Sequence, residues 1–259
     1  MGAMTIRSTA RVVIAAAGVV VVLTGLLAFA ILRVGGPSGP RAAYQDVPAP
    51  APAAAGGAAA RVESVSRSAA RSLVDAGWVR RIATAAGIPV PAVRAYADAE
   101  LVLRTEQPRC HLSWNTLAGI GWVESQHGTI GGRTLLADGR SSRPVLGPAL
   151  DGSGTYAAIH STGASAAWHG DVVWEHAVGP LQFLPSTWSR WSADGDADGV
   201  ADPGDLDDAA LAAGRYLCAD GHDLTTGGGW TAAVRSYNHD DGYVAGVASA
   251  ANTYVARTH

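Results

Sequence analysis

From residue 61 onward, apolar positions recur at helical spacing, and the stretches between them carry Pro, Gly, Ser and Asp. The pattern predicts a first helix over 62–75 or on to 86. Pro89 and Pro91 interrupt it, and a second helix starts near Pro91, runs through Tyr96, Leu101 and Leu103, and stops at Pro108. Ser113 is placed to cap a third helix. In that helix Leu117, Ile120, Gly121 and Glu124 fall at i, i+3, i+4 and i+7, so one face carries them all. Gly128 offers its stop. A short helix over 186–191 opens with Pro185, and further helices cover 207–216, 230–238 and 243–256. Turns at 227–229 and 240–242 separate the last of these. No stretch alternates as a strand and no repeat is visible, so the body reads as all-α. Residues 131–178 are different: they are rich in glycine, hold Pro144 and Pro148, and show no long period. A stretch of this kind in a compact domain is usually functional, and it reads as an insertion folded over a cleft.

Upstream of the body the pattern changes twice. Val12 to Leu32 is apolar apart from Thr24 and glycines. At about 1.5 Å per residue it spans roughly 30 Å, one bilayer core. Arg7 and Arg11 precede it and place 1–11 in the cytoplasm. Ala28-Phe-Ala30 also fits a small-residue cleavage site, so 12–32 is read as a membrane anchor with signal cleavage as the alternative. Residues 33–60 are rich in Pro, Ala and Gly and cannot bury a core; they read as a linker. The body, 61–259, is expected outside the cytoplasm, on the cell membrane or released to the wall.

Charge changes the picture only by exclusion. Charged residues make up 16% and the net charge is −3, with no basic patch, which argues against a nucleic-acid partner. Eight Trp against two Phe supply flat platforms suited to sugar rings as well as to core filling. Cys110 and Cys218 have no Cys-x-x-Cys spacing; in an exported body they pair most simply as a disulfide, with two separate buried thiols as the alternative.

Three stretches carry candidate chemistry. Glu124 continues an inward apolar stripe, where burial raises a carboxyl pKa toward the range of a general acid. Gly121, one turn earlier, leaves room for a ligand. Gln182, between Leu181 and Phe183, needs a hydrogen-bond partner if buried. In 194–205 oxygen donors fall at loop positions 1, 3, 5, 9 and 12 (Asp194, Asp196, Asp198, Asp202, Asp205), with Gly199 at the sharp turn and the Val200 carbonyl at position 7. That is an EF-hand calcium pattern, with Asp205 where Glu is usual and Pro203 inside the loop.

Gly-Trp-Val-Glu124-Ser-Gln-His-Gly, Gly179-Pro-Leu-Gln-Phe-Leu-Pro-Ser-Thr-Trp188 and Ser236-Tyr-Asn238, in this order, resemble the lytic murein transglycosylases of bacterial cell walls. The membrane-bound B-type branch of the SLT-domain family, in its actinobacterial form, is the nearest likeness, because it too can carry an EF-hand-like loop. The resemblance covers roughly 108–259. It implies a goose-type-lysozyme-like helical fold and cleavage of the β-1,4 bond between N-acetylmuramic acid and N-acetylglucosamine, with 1,6-anhydromuramoyl ends. It implies Glu124 as the single catalytic acid and base. Ser125 would orient the sugar or the glutamate, Gln182 with Phe183 would contact glycan, and Tyr237 and Asn238 would line the muramoyl site. The calcium would be structural, and no organic cofactor is implied. His239-Asp240-Asp241-Gly242 departs from the Ala or Ser and then Gly common after Tyr-Asn. The alternatives are a hydrolytic muramidase with a second carboxylate, Asp151 or Asp171, a non-catalytic wall-binding protein, or a calcium-sensing module.

Overall fold

The computed structural model describes residues 72–154 and 156–259. The anchor, the linker and residues 61–71, with the start of the first predicted helix, lie outside them. Asp75 decides where the first described helix begins: its carboxylate accepts the Trp78 N–H at 2.7 Å, and α1 runs Ala76–Ala86. Residues 72–75, predicted helical, are therefore its lead-in. Gly87, left-handed at φ 72°, closes α1.

α2 (Val90–Glu106) has Pro91 in its first turn, where no N–H is needed. α3 (Trp114–Ser125) begins after Ser113, but the Ser113 hydroxyl makes no capping bond. Instead the Glu100 carboxylate of α2 accepts the Trp114 N–H at 2.7 Å. Then come a short α4 (Ala166–His169), α5 (Pro185–Trp191), α6 (Leu206–Cys218), α7 (Gly227–Tyr237) and α8 (Asp241–Thr258). α7 starts earlier than its pattern suggested. Thr226 caps the Gly229 N–H, so the three glycines form the first turn rather than a separate one.

Among the described residues the fold is all-α with no sheet, and 131–178 holds only a 3₁₀ turn, α4 and isolated bridges. No described helix is long and apolar enough to cross a membrane.

Two helix pairs build the core: α2 packs on α6, and α3 on α8. Small residues allow both. α6 presents Ala209, Ala210, Ala212, Ala213 and Gly214, and α3 presents Gly119, where a methyl group would meet the Val247 carbonyl of α8. Trp114 and Trp230 are fully buried, and the Trp230 indole donates to Thr116 Oγ1 at 3.1 Å. Each such ring removes about 150–250 Å² from water, a gross gain of ~4–6 kcal/mol. Cys110 and Cys218 form a disulfide that ties the α2–α3 loop to the end of α6. The Arg94–Asp207 ion pair, both partners buried, links α2 to α6, and Arg94 also donates to the Ala137 carbonyl at the start of the insertion.

Candidate active site

Glu124 sits in the last turn of α3. Leu117, Ile120 and Gly121 of its stripe are buried, Glu124 is half-buried, and Trp122 and Val123 beside it are 37% and 38% exposed. The carboxyl thus stands where the core face meets an open apolar rim. Gly121 does not leave room for a ligand: a methyl group there would overlap the Tyr96 hydroxyl, which already occupies the space.

α3 stops abruptly because Gln126, His127 and Gly128 are all left-handed, at φ 54°, 60° and 81°. The helix therefore ends before Gly128, the expected stop. Ser125 holds this reversal together. It is fully buried, its hydroxyl donates to the Pro180 carbonyl at 2.5 Å, and it accepts the Gly128 N–H at 2.7 Å. Ser125 so joins the glutamate's helix to the Gly179–Pro180 segment, and its hydroxyl is committed to backbone.

Gln182, left-handed at φ 52°, donates to the Gly179 carbonyl at 2.8 Å, and its carbonyl oxygen lies over Gly147 of the insertion. Phe183 is buried between Trp188 and Tyr237, with ring centroids at 5.4 and 5.9 Å, so it supports the site from beneath. The Tyr237 hydroxyl donates to the Leu181 carbonyl at 2.8 Å. Asn238 is buried and accepts the Asp240 N–H, and Asp240 in turn caps α8 at the Tyr243 N–H. The unusual His239-Asp240-Asp241-Gly242 stretch is therefore a helix start.

That helix start aims a residue the sequence pattern did not single out. The Tyr243 hydroxyl donates to Glu124 Oε1 at 2.7 Å. Tyr243 is legible in sequence only as an inward position of α8. Burial raises the Glu124 pKa to about 7, and the Tyr243 hydrogen bond, which favours the charged form, opposes the rise. Burial and the nearby Glu124 charge push Tyr243 and Tyr237 well above the usual phenol range, so both remain hydrogen-bond donors. Tyr243→Phe is expected to raise the Glu124 pKa further and to move the alkaline limb of kcat/KM to higher pH. A pH–rate profile of the variant against wild type checks this; an unmoved limb would contradict it.

The carboxylates of the insertion are committed elsewhere. Asp151 is exposed and accepts the Ser153 N–H. Asp171 accepts the N–H groups of Val173 and Trp174, and these bonds, with His176 adding to them, lower its pKa to about 2. Glu175 pairs with His169 at 2.5 Å.

The aspartate loop between α5 and α6 is folded by its own side chains. Asp194 accepts from the N–H groups of Asp198 and Gly199, Asp196 from Asp198, and Asp198 from Val200. One carboxylate oxygen each from Asp194, Asp196 and Asp208 lie within 4.8 Å of one another. Asp208, absent from the predicted set, joins Asp194 and Asp196 in this cluster and also accepts the N–H groups of Gly195 and Asp202. Asp205 is buried, caps α6 at the Asp207 N–H and faces Arg140 at 3.7 Å, and Asp202 pairs with Arg140 as well. Asp198 and Val200 are exposed at the loop tip. Burial and the neighbouring carboxylates raise Asp208 to about 7, and raise Asp196. The register explains the exchange: Asp205 is spent as the helix cap, and the first turn of α6 brings Asp208 round to the loop.

Helix pairs around a half-buried acid define an α-helical protein with Glu124 at the rim of its core. Residues 158–255 match the family model described as Transglycosylase SLT domain. The match takes in Gly179–Trp188, the aspartate loop, Tyr237, Asn238 and Tyr243, and begins after Glu124. No curated protein matches the chain. The match supports, in general terms, a transglycosylase-type enzyme acting on peptidoglycan.

Proposed function

We propose that the enzyme is a lytic transglycosylase that cleaves the β-1,4 bond between N-acetylmuramic acid and N-acetylglucosamine and leaves 1,6-anhydromuramoyl ends. The observation that carries this reading is the pairing of Glu124, a carboxyl raised to about 7 beside an exposed apolar rim, with the Tyr243 hydroxyl, while the insertion's carboxylates are tied to backbone and histidine. Most glycosidases need two free carboxylates; a transglycosylase that uses its substrate's own groups needs one.

Protonated Glu124 donates its proton to the glycosidic oxygen as the C1–O bond breaks. The substrate's N-acetyl oxygen supports the positive charge at C1. Glu124, now a carboxylate steadied by Tyr243, takes the proton from the C6 hydroxyl of the same muramoyl residue. That oxygen bonds to C1, and no water is consumed. Mass spectrometry of products from purified peptidoglycan tests the reading: anhydromuramoyl ends are expected, and reducing muramic ends would make it a muramidase.

The aspartate loop fits a calcium ion. Its donors are all hard oxygens, and burial, with the neighbouring carboxylates second, raises two of the three clustered carboxylates, Asp196 and Asp208. In this reading Asp194, Asp196 and Asp208 hold the ion, which would tether α5 to α6 and neutralise the cluster. Chelation is expected to lower Tm, and added calcium to restore it. At 100 times Kd the ion would contribute about 2.7 kcal/mol. Thermal scans of Asp208→Asn should lose the calcium response while Asp205→Asn keeps it at a lower Tm. A calcium response retained in Asp208→Asn would reject this ligand set.

The disulfide suits an oxidising compartment, and Arg7, Arg11 and the apolar run 12–32 suit a membrane anchor. In this reading the enzyme faces the wall from the cell membrane. Fractionation with and without the first 32 residues tests it; equal partition to membranes in both would overturn it.

A further inference from the structure

His127 follows Glu124 by three residues and lies outside the chemistry described so far. Its ring is 2% exposed and enclosed by three aromatic rings, Tyr96 of α2, Trp122 of α3 and Tyr254 of α8, at centroid distances of 5.8, 5.9 and 5.8 Å. Both ring nitrogens are engaged: Nδ1 lies 3.1 Å from the Tyr96 hydroxyl and Nε2 lies 2.9 Å from the Tyr254 hydroxyl. Burial holds the imidazole far below its ordinary pKa, at about 3, so it is neutral at working pH. A neutral imidazole has one donor and one acceptor nitrogen. One tyrosine therefore donates to it and the other accepts from it, so that His127 links α2 to α8.

Two further features show that the bridge is built into the fold. Gly121 gives up its side chain so that the Tyr96 hydroxyl can pass α3 and reach His127. His127 and Gln126 also hold left-handed backbone without being glycine, a conformation that persists only where surrounding contacts enforce it. The His127 N–H donates to the Gly121 carbonyl at 2.8 Å, which closes the reversal onto α3.

The link to the acid runs through α8. Tyr254 and Tyr243 lie roughly three turns apart on that helix, on one inward stripe with Val247 and Ala251. Along that stripe α8 touches α3 backbone to backbone at Gly119. A displacement of α8 at Tyr254 is therefore carried to Tyr243, and the Tyr243 hydroxyl is the group on Glu124.

We propose that His127 is a positioning residue for the acid: by clamping Tyr96 and Tyr254 on its two ring nitrogens, it fixes α8 against the end of α3 and so holds the Tyr243 hydroxyl on Glu124. The proposal rests on Glu124 as the catalytic acid for its kinetic consequence, but its physical content is the Glu124–Tyr243 contact. Losing that contact removes a hydrogen bond to the charged form, so the Glu124 pKa rises.

The test follows the Glu124 carboxyl by ¹³C NMR pH titration in the full chain, with Glu124→Gln identifying the signal. His127→Phe is expected to raise the Glu124 pKa by about half a unit or more, and to add no further shift in a Tyr243→Phe background, because both changes act on one contact. On peptidoglycan, kcat should fall about tenfold with KM within about twofold, the pattern of a misplaced acid rather than of lost binding. Tyr254→Phe, which removes one hydroxyl and keeps the ring, should shift the pKa in the same direction and serves where His127→Phe does not fold. An unchanged Glu124 pKa, or a shift in His127→Phe that adds in full to that of Tyr243→Phe, would overturn the proposal. If wild type releases no products from peptidoglycan, the functional reading falls, and the titration still decides the role of His127.

Discussion

Glu124→Gln lowers turnover on peptidoglycan by about 10²–10⁴-fold or more, the range that a positioned general acid contributes. The amide keeps the size of the side chain and cannot deliver a proton, so binding of glycan should change little. The variant is also expected to be at least as stable as wild type, with a defined pH dependence. In the native protein the Glu124 pKa is about 7, against 4.5 for an ordinary glutamate. Between those values the folded state binds more protons than the unfolded state, so stability falls as pH rises. Wild type has the full contribution of protonated Glu124 below about 4.5 and has lost it above about 7. Glutamine does not titrate. The Tm of Glu124→Gln should therefore gain on wild type as pH is raised through this window, and should track it below. A residual activity near wild type would remove Glu124 from the mechanism, and a variant whose Tm falls behind as pH rises would contradict the burial argument.

Breaking the disulfide is the second large effect. Cys110 and Cys218 are separated by 108 positions. Closing a loop of that length restricts the unfolded chain by about 4–5 kcal/mol in the chain-entropy treatment. Cys110→Ser/Cys218→Ser is expected to lose most of that, with a fall in the denaturant midpoint and an activity per folded molecule close to wild type. The reason for the second expectation is place: the bond joins the α2–α3 loop to the end of α6, at the opposite end of α3 from Glu124. Denaturant melts of both proteins, with initial rates at a temperature where each is folded, check the pair of claims. An unchanged midpoint would mean that the unfolded chain gains little freedom when the link is cut.

Several parts of this protein were legible in its sequence because they depend on neighbours along the chain. Pro91 and Pro185 in first turns and the apolar period of α3 all act within one or two helical turns. They determined an all-α body, the positions of α2, α3, α5, α6 and α8, and Glu124 at the end of an inward stripe. The spacing of Asp194 and Asp196 likewise marked a loop that folds on its own carboxylates.

Other features depended on which helices meet. The first turn of α3 is satisfied by Glu100 rather than by Ser113 because α2 lies across it. Gly121 makes way for Tyr96 of α2 rather than for a ligand. Asp205 is drawn to Arg140 and its own helix cap, which brings Asp208 to the loop. Ser125, which the motif placed near substrate, faces inward onto Pro180. Above all, the donor to Glu124 comes from 119 positions away, on a helix whose local pattern reads only as apolar packing. Local periodicity determines which face of a helix is buried. What that face is buried against, and hence the charge state and reach of a single carboxyl, was decided by the packing of α3 on α8.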